Sequence, residues 1–232
     1  MTVDLEPDLR SNTSKNVETI VPKLLELFDQ RKIDATFFVV SNIVEKHESL
    51  IKDISKKHEI ASHSHTHAWL NLVNANWEIQ KSKETLQQYG HNPLGFRAPG
   101  FITTENHLQL LKENGYVYDA SFARFFPGRY SHLTMPRKPF VKEGILEFPL
   151  PTFVYPSINA GLPYLKLFHP LSRIFPKPSM LYLHPWELME KGELNEPNSA
   201  ITRMLQRNTG EKSWKILENV PPLRIRSMRW SP

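Results

Sequence analysis

An α/β fold built on parallel strands is the architecture this sequence predicts, and three observations predict it. Short apolar runs alternate with longer amphipathic stretches, the pattern of βαβ units. The chain has 232 residues, of which 40% are hydrophobic, enough for one large domain with a buried core. Cysteine is absent, so packing must hold the fold without disulfides or thiolate metal clips.

Taken in order, TVDLE (2–6) reads as a short strand, and NVETIVPKLLELFDQRK (16–32) follows with apolar residues at helical spacing. ATFFVV (35–40) is the next strand. HESLIKDISKKH (47–58) fits a helix whose Leu50, Ile51 and Ile54 face inward, and NANWEIQKSKETLQQYG (74–90) a helix stopped by glycine. From about residue 120 prolines crowd in, at 127, 136, 139, 149, 151, 156, 163, 170, 176 and 178. Proline fixes φ and donates no N–H, so long ordered loops draped over the sheet are expected there. MLYLHPWE (180–187) restores a short apolar strand ending in His184, and residues 199–220 supply two closing helical segments. There is no internal repeat and no low-complexity linker. Residues 1–232 are therefore expected to form one domain with its core in 2–187.

The formal charge is +5 and the pI about 9.3, but the basic residues are mostly scattered among acidic ones. The one concentration, RIRSMR (224–229), reads as a solvated tail segment, so no nucleic-acid partner is expected. No run approaches the roughly 18 apolar residues of a membrane span. The first ten residues carry Asp4, Glu6 and Asp8 where a secretory signal would be basic and then apolar. As encoded, the chain is expected to be soluble and cytoplasmic, an expectation that lapses if the native chain begins upstream of Met1. No exposed apolar heptad or edge strand specifies an oligomer.

ASHSHTH (61–67) places histidines at every second position. On a strand all three would share a face, with His63 and His67 about 13 Å apart, so that only adjacent pairs could meet one ion. At the start of a helix His63 and His67, at i and i+4, would lie one turn apart and His65 would point elsewhere. Periodicity does not choose between them, and a polar loop rich in histidine by chance is the ordinary alternative. Three other places add weight. Asp4 and Glu6 stand two apart on the first strand, facing one side at its C-terminal end, where parallel sheets place ligands. GFRAPGF (95–101) sets Arg97 beside a rigid Pro-Gly turn, and YLHPWE ends an apolar strand in His184.

In their order these segments, TVDLE, ATFFV, HEIASHSHTH, FRAPGF, YDASF and LYLHPWE, resemble the polysaccharide deacetylase family, the NodB-homology carbohydrate esterases. The resemblance is to the subgroup whose first motif is D-x-E and whose last is H-P-W-E, and it spans residues 2 to about 187. It implies a distorted (β/α)7 barrel with its site at the C-terminal strand ends. It implies that His63 and His67 are metal ligands with His65 a non-ligand, that Glu6 is the third ligand, and that Asp4 is the base. Common members have adjacent aspartates, whereas here Leu5 follows Asp4, so an exchange of roles between Asp4 and Glu6, or a contribution from Asp8, stays open. Arg97 would hold Asp4 in place, and His184 would be the acid. Asp119 would orient a catalytic group or cap a turn; the fourth motif's usual tryptophan is missing here. Pro99, Trp186 and Glu187 would line the substrate, with tuning of His184 as the alternative for the last two. Trp69 would serve the site or pack in the core.

Two imidazoles and a carboxylate leave a position open for water, the pattern of a catalytic divalent ion. Zinc is expected, with cobalt, nickel or manganese compatible with the same ligands. The implied activity is removal of N-acetyl groups from an N-acetylated glycan or its precursor, with acetate released. A backbone N–H in residues 130–136 would help hold the oxyanion. Two alternatives share the barrel: a metal-independent allantoinase-like amidohydrolase, which intact His63 and His67 disfavour, and a non-catalytic carbohydrate-binding protein.

Overall fold

The computed structural model of the protein describes residues 1–126, 130–131, 135–154 and 158–220. β1 (Thr2–Leu5) leads into α1 (Lys15–Thr19) and α2 (Val21–Arg31), β2 (Thr36–Val39) into α3 (Glu48–Ser55), and β3 (Glu59–Ser62) into α4 (Ala75–Gln88). β4 (Gly95–Phe96), α5 (His107–Glu113) and β5 (Tyr118–Asp119) continue the alternation. Then come β6 (Phe125–Phe126), β7 (Tyr130–Ser131), β8 (Phe140–Lys142), β9 (Ile145–Glu147), β10 (Thr152–Val154) and β11 (Ile158–Asn159). α6 (Leu162–Leu167), β12 (Tyr182–Leu183), α7 (Ala200–Leu205) and α8 (Glu211–Glu218) complete the chain.

The main sheet has the order β12-β1-β2-β3-β4-β5-β9-β8. Neighbours from β12 through β9 are parallel, and only β8 runs antiparallel, against β9. Seven parallel strands thus form the curled sheet of the distorted (β/α)7 barrel. β12 and β8 are not paired with each other among the described residues, so the barrel stays open between them. The β8–β9 hairpin turns on Glu143 and Gly144, both at positive φ (54° and 83°), as a two-residue turn matched to strand twist requires.

Alternation along the strands sorts core from site. Val3 and Leu5 point outward into the larger apolar cluster, which includes Val17, Val21, Leu24 and Phe28 of α1 and α2. Thr2 and Asp4 point inward, as do Phe38, Ala61, Tyr118 and Tyr182, which form the inner cluster. Register then aligns the strand ends. Leu5 pairs with Val39, Val39 with Ser62, Ser62 with Phe96, Phe96 with Asp119, and Asp119 with Glu147. Glu6, His63 and Arg97 therefore emerge together just past that row. Val3 pairs with Leu183, which puts His184 beside Asp4 on the neighbouring strand.

Three expectations are corrected. The single helix over 16–32 is two, broken at Ile20 because Pro22, in the first turn of α2, cannot continue the hydrogen-bond ladder of a preceding helix. The proline-rich part is not loop alone. Its prolines sit between short elements, Pro139 ahead of β8, Pro149 and Pro151 between β9 and β10, and Pro163 in the first turn of α6. Trp69 does not pack in the core; it is 58% exposed. The segment 224–229 lies outside the described residues. No helix among the described residues is long and apolar enough to cross a membrane.

Leu5 has no solvent exposure and serves the outer core. Leu5→Ala is expected to lower unfolding stability by about 2–5 kcal/mol in chemical denaturation, while leaving the inward carboxylates where they are.

Candidate metal centre and its acid–base partners

The HSHTH segment is neither strand nor helix. β3 ends at Ser62, and the chain then turns through Ser64 and His67, both at φ 66°. Buried Glu78 on α4 makes that turn. Its Oε2 accepts the backbone N–H groups of His65 and Thr66, each at 2.8 Å, and its Oε1 accepts the Thr66 hydroxyl. Ser64 Oγ takes the His67 N–H at 3.2 Å. The turn folds His67 back toward His63, with ring centroids 5.1 Å apart. His65 points away, its Nδ1 2.8 Å from Ser41 Oγ and its ring against Trp77.

Glu6 meets both folded-back histidines. Its Oε2 lies 2.6 Å from His67 Nε2 and 3.6 Å from His63 Nε2. The ligand atoms of Glu6, His63 and His67 all lie within 4.8 Å of one another. His63 Nδ1 is 2.7 Å from the Arg97 carbonyl oxygen. A carbonyl only accepts, so Nδ1 carries the proton and Nε2 is left as a free donor for a cation. Trp186 Nε1 donates to Glu6 Oε1 at 2.8 Å, which turns Oε2 toward the histidines. One carboxylate and two imidazoles, one with its tautomer fixed, are a donor set that fits a divalent ion such as zinc. Asp8, the alternative ligand, is elsewhere: it accepts the Lys15 and Asn16 N–H groups at 2.9 and 2.8 Å and so caps α1.

Asp4 stands beside this group on the other hand of the barrel mouth. Arg97, with no exposure, reaches it with one guanidinium nitrogen at 2.6 Å, the same nitrogen that donates to Thr2 Oγ1 at 3.0 Å. Arg97 Nε donates to the Ala120 carbonyl at 3.2 Å, and the guanidinium stacks over Phe38 at 4.1 Å. The second Asp4 oxygen is 3.8 Å from His184 Nε2. Behind His184, Glu187 Oε2 accepts its backbone N–H at 3.0 Å and lies 3.3 Å from its Nδ1.

Burial is the largest single influence on these groups, and the opposite charges outweigh it. Burial would raise the Glu6 pKa, but His67 and His184 hold it well below the carboxylate range. Burial would lower the His67 pKa, but Glu6 raises it. Burial would also lower His184, yet Glu6 first, then Glu187 and Asp4, push it up to about 9.

Several sequence expectations need revision. Trp186 is 2% exposed and Glu187 fully buried, and Pro99 is also buried, so none of the three offers an open face to a substrate. Trp186 instead braces Glu6 and stacks on His184 at 5.1 Å and 22°. Asp119 is in a separate buried cluster. It faces His107 Nε2 at 3.3 Å and accepts from Ser121 Oγ at 2.6 Å. Burial and the Asp119 charge raise the neighbouring Glu147 well above the carboxylate range. None of the Asp119 contacts among the described residues reaches Asp4 or His184. Its link to the mouth is indirect, through Ser121 Oγ, which accepts the Ala98 N–H at 2.8 Å just after Arg97. Residues 132–134, within the segment expected to supply an oxyanion N–H, lie outside the described residues. Glu78, Lys166, His107 and Glu147 are new here. Nothing local marks them, because each acts across a tertiary contact.

The family model described as polysaccharide deacetylase matches residues 1–118. A peptidoglycan-N-acetylglucosamine deacetylase of Bacillus cereus is 32% identical over 105 residues, 42% of this chain and 48% of the relative. The chain spans about half the length of the curated relatives it matches. Two solved structures show the same fold. A Mycobacterium smegmatis protein assigned to the polysaccharide deacetylases has a TM-score of 0.57 at 20% identity, covering 98% of this chain and 87% of that one. A Bacillus anthracis pseudoenzyme of the CE4 family has a TM-score of 0.51 at 14% identity, covering 98% and 63%.

Elemental mass spectrometry of zinc-incubated protein is expected to find about one equivalent, and Glu6→Gln, His63→Ala and His67→Ala each to lose it. The raised His67 pKa means a proton must leave before a cation enters. Zinc affinity is therefore expected to fall about tenfold per pH unit once pH drops below that pKa, measured by competition with a chromophoric chelator.

Proposed function

Because the chain belongs to the polysaccharide deacetylase family, we propose that it is a metal-dependent hydrolase that removes N-acetyl groups from an N-acetylated glycan or glycan precursor, releasing acetate. One observation carries this: the Glu6–His63–His67 group shares one barrel mouth with a carboxylate paired to a buried arginine and a histidine, 3.8 Å from that carboxylate, that faces a buried glutamate. That is the constellation amide hydrolysis needs, with a water-activating centre, a base and an acid within one mouth. The Bacillus cereus relative's substrate class supports the choice of an N-acetylated amino sugar.

In this mechanism Glu6, His63 and His67 hold the ion, which when bound would acidify a water and polarise the acetamide carbonyl. Asp4 takes the proton of the attacking water through the oxygen that Arg97 leaves free. Arg97 holds the other oxygen through Nη1, which also donates to Thr2, while Nε donates to Ala120. His184, whose pKa its neighbouring carboxylates raise, gives its proton to the leaving amine. Glu187 faces its Nδ1, so Nε2 is the nitrogen that faces the mouth. Glu6 serves as ligand and Asp4 as base because Glu6 faces the histidines and Asp4 faces the arginine, which supports the division of roles left open above.

We also take residues 1–232 as one deacetylase-like domain closed by the helices of 199–220. Arg31 on α2 supports this, donating to the carbonyls of Leu217 and Val220 at 3.3 and 2.6 Å.

Acetate release from N-acetylglucosamine oligomers and from peptidoglycan fragments tests the proposal. Asp4→Asn is expected to keep its metal and lose about 10²–10⁴ in kcat. Stoichiometric metal with no acetate from either substrate would instead favour a glycan-binding role. Activity is expected to fall on the alkaline side as His184 loses its proton. That limb should lie below about 9, because a bound cation offsets the charge of Glu6, the main carboxylate raising it.

A further inference from the structure

Lys166, on α6, is among the largest side chains with almost no solvent exposure, at 1%. An ammonium removed from water is destabilising unless partners in the protein replace its hydration. Its Nζ has two: Glu187 Oε1 at 3.2 Å and the Leu205 carbonyl at 3.1 Å. It also lies 5.5 Å from the Trp186 ring centroid. Both side chains it approaches, Glu187 and Trp186, flank the proposed acid.

The oxygens of Glu187 divide their work. Oε2 accepts from the His184 backbone and faces Nδ1, while Oε1 is turned to Lys166. We propose that Lys166 is a positioning residue for the catalytic acid, fixing Glu187 so that its second oxygen holds His184 with Nε2 toward Asp4. This rests on the deacetylase mechanism above.

α6 is itself pinned in a way that suits the task. At its start, a Cβ on Gly161 would come within 2.3 Å of the Tyr182 ring, so only glycine lets the helix approach β12 this closely. Near its end, Asn208 Nδ2 donates to the Lys166 carbonyl at 2.7 Å. Helix, strand and the segment after α7 therefore set the ammonium's position before it meets Glu187. With Lys166 gone, Glu187 Oε1 keeps no described partner in a dry site, and the carboxylate can rotate or take up a proton. Either change removes the acceptor opposite Nδ1.

The test compares wild type, Lys166→Met and Lys166→Arg, all zinc-loaded, by steady-state kinetics and by proton NMR of the His184 Nδ1–H, assigned by its loss in His184→Gln. Lys166→Met is expected to lower kcat about 10- to 100-fold with KM and zinc stoichiometry nearly unchanged, and to shift or abolish the resonance. Lys166→Arg should recover much of both. A folded Lys166→Met with wild-type kcat and an unmoved resonance would overturn the proposal and leave Lys166 a packing residue. Should that variant fail to fold, Lys166→Met in a Glu187→Gln background removes both buried charges. There the lysine change should cost nothing beyond Glu187→Gln alone, and an additive loss would contradict action through Glu187. If wild type released no acetate, the deacetylase mechanism would fail, while the resonance would still decide whether Lys166 positions His184.

Discussion

Arg97 is the fixed point of the barrel mouth. A guanidinium with no solvent exposure depends on the partners its donors find, and here the partners of Nε and Nη1 come from different strands. Asp4 and Thr2 lie on β1, the Ala120 carbonyl just past β5, and Phe38 on β2 supplies the ring beneath. Its backbone is equally committed, its N–H to Ser62 at the end of β3 and its carbonyl to His63 Nδ1. One residue thus orients the base through its side chain and fixes a ligand's tautomer through its main chain. Moving it would disturb both halves of the chemistry at once.

The opposite side of the mouth depends on the last third of the chain. His184, Trp186 and Glu187 follow β12, and Lys166 comes from α6. All lie beyond residues 1–118, the part that matches the family model. Trp186 joins the two sides, stacking on His184 while donating to Glu6. The proposed acid and the proposed metal ligand therefore share one indole, and the geometry of either constrains the other.

Much of this was legible in the sequence, for identifiable reasons. TVDLE and ATFFVV were readable as the strands β1 and β2, and the shared face of Asp4 and Glu6 followed from period-two spacing, whereas β3 was not read as a strand. His63, His67, Arg97 and His184 came from the order of short motifs. The turn that brings His63 and His67 together was not legible, because Glu78 supplies it from the next helix. Strands of two or three residues between prolines hold too little pattern to be read, so β8 to β11 were expected as loops. Trp186 and Glu187 were read as lining the sugar site or tuning His184; tertiary packing turns both inward, where they meet His184. Asp119 lies in the expected segment, but the carboxylate beside His184 is Glu187, three residues on in the same turn.

The central claim is that Glu6, and not Asp4, joins His63 and His67 around the ion while Asp4 stays with Arg97. The most direct test is a crystal structure of the zinc-loaded protein with anomalous data collected at the zinc edge. The account predicts one peak bounded by Glu6 Oε2, His63 Nε2 and His67 Nε2, with the Asp4–Arg97 pair intact. A peak coordinated by Asp4 in place of Glu6, or no peak after saturation with zinc, would contradict it.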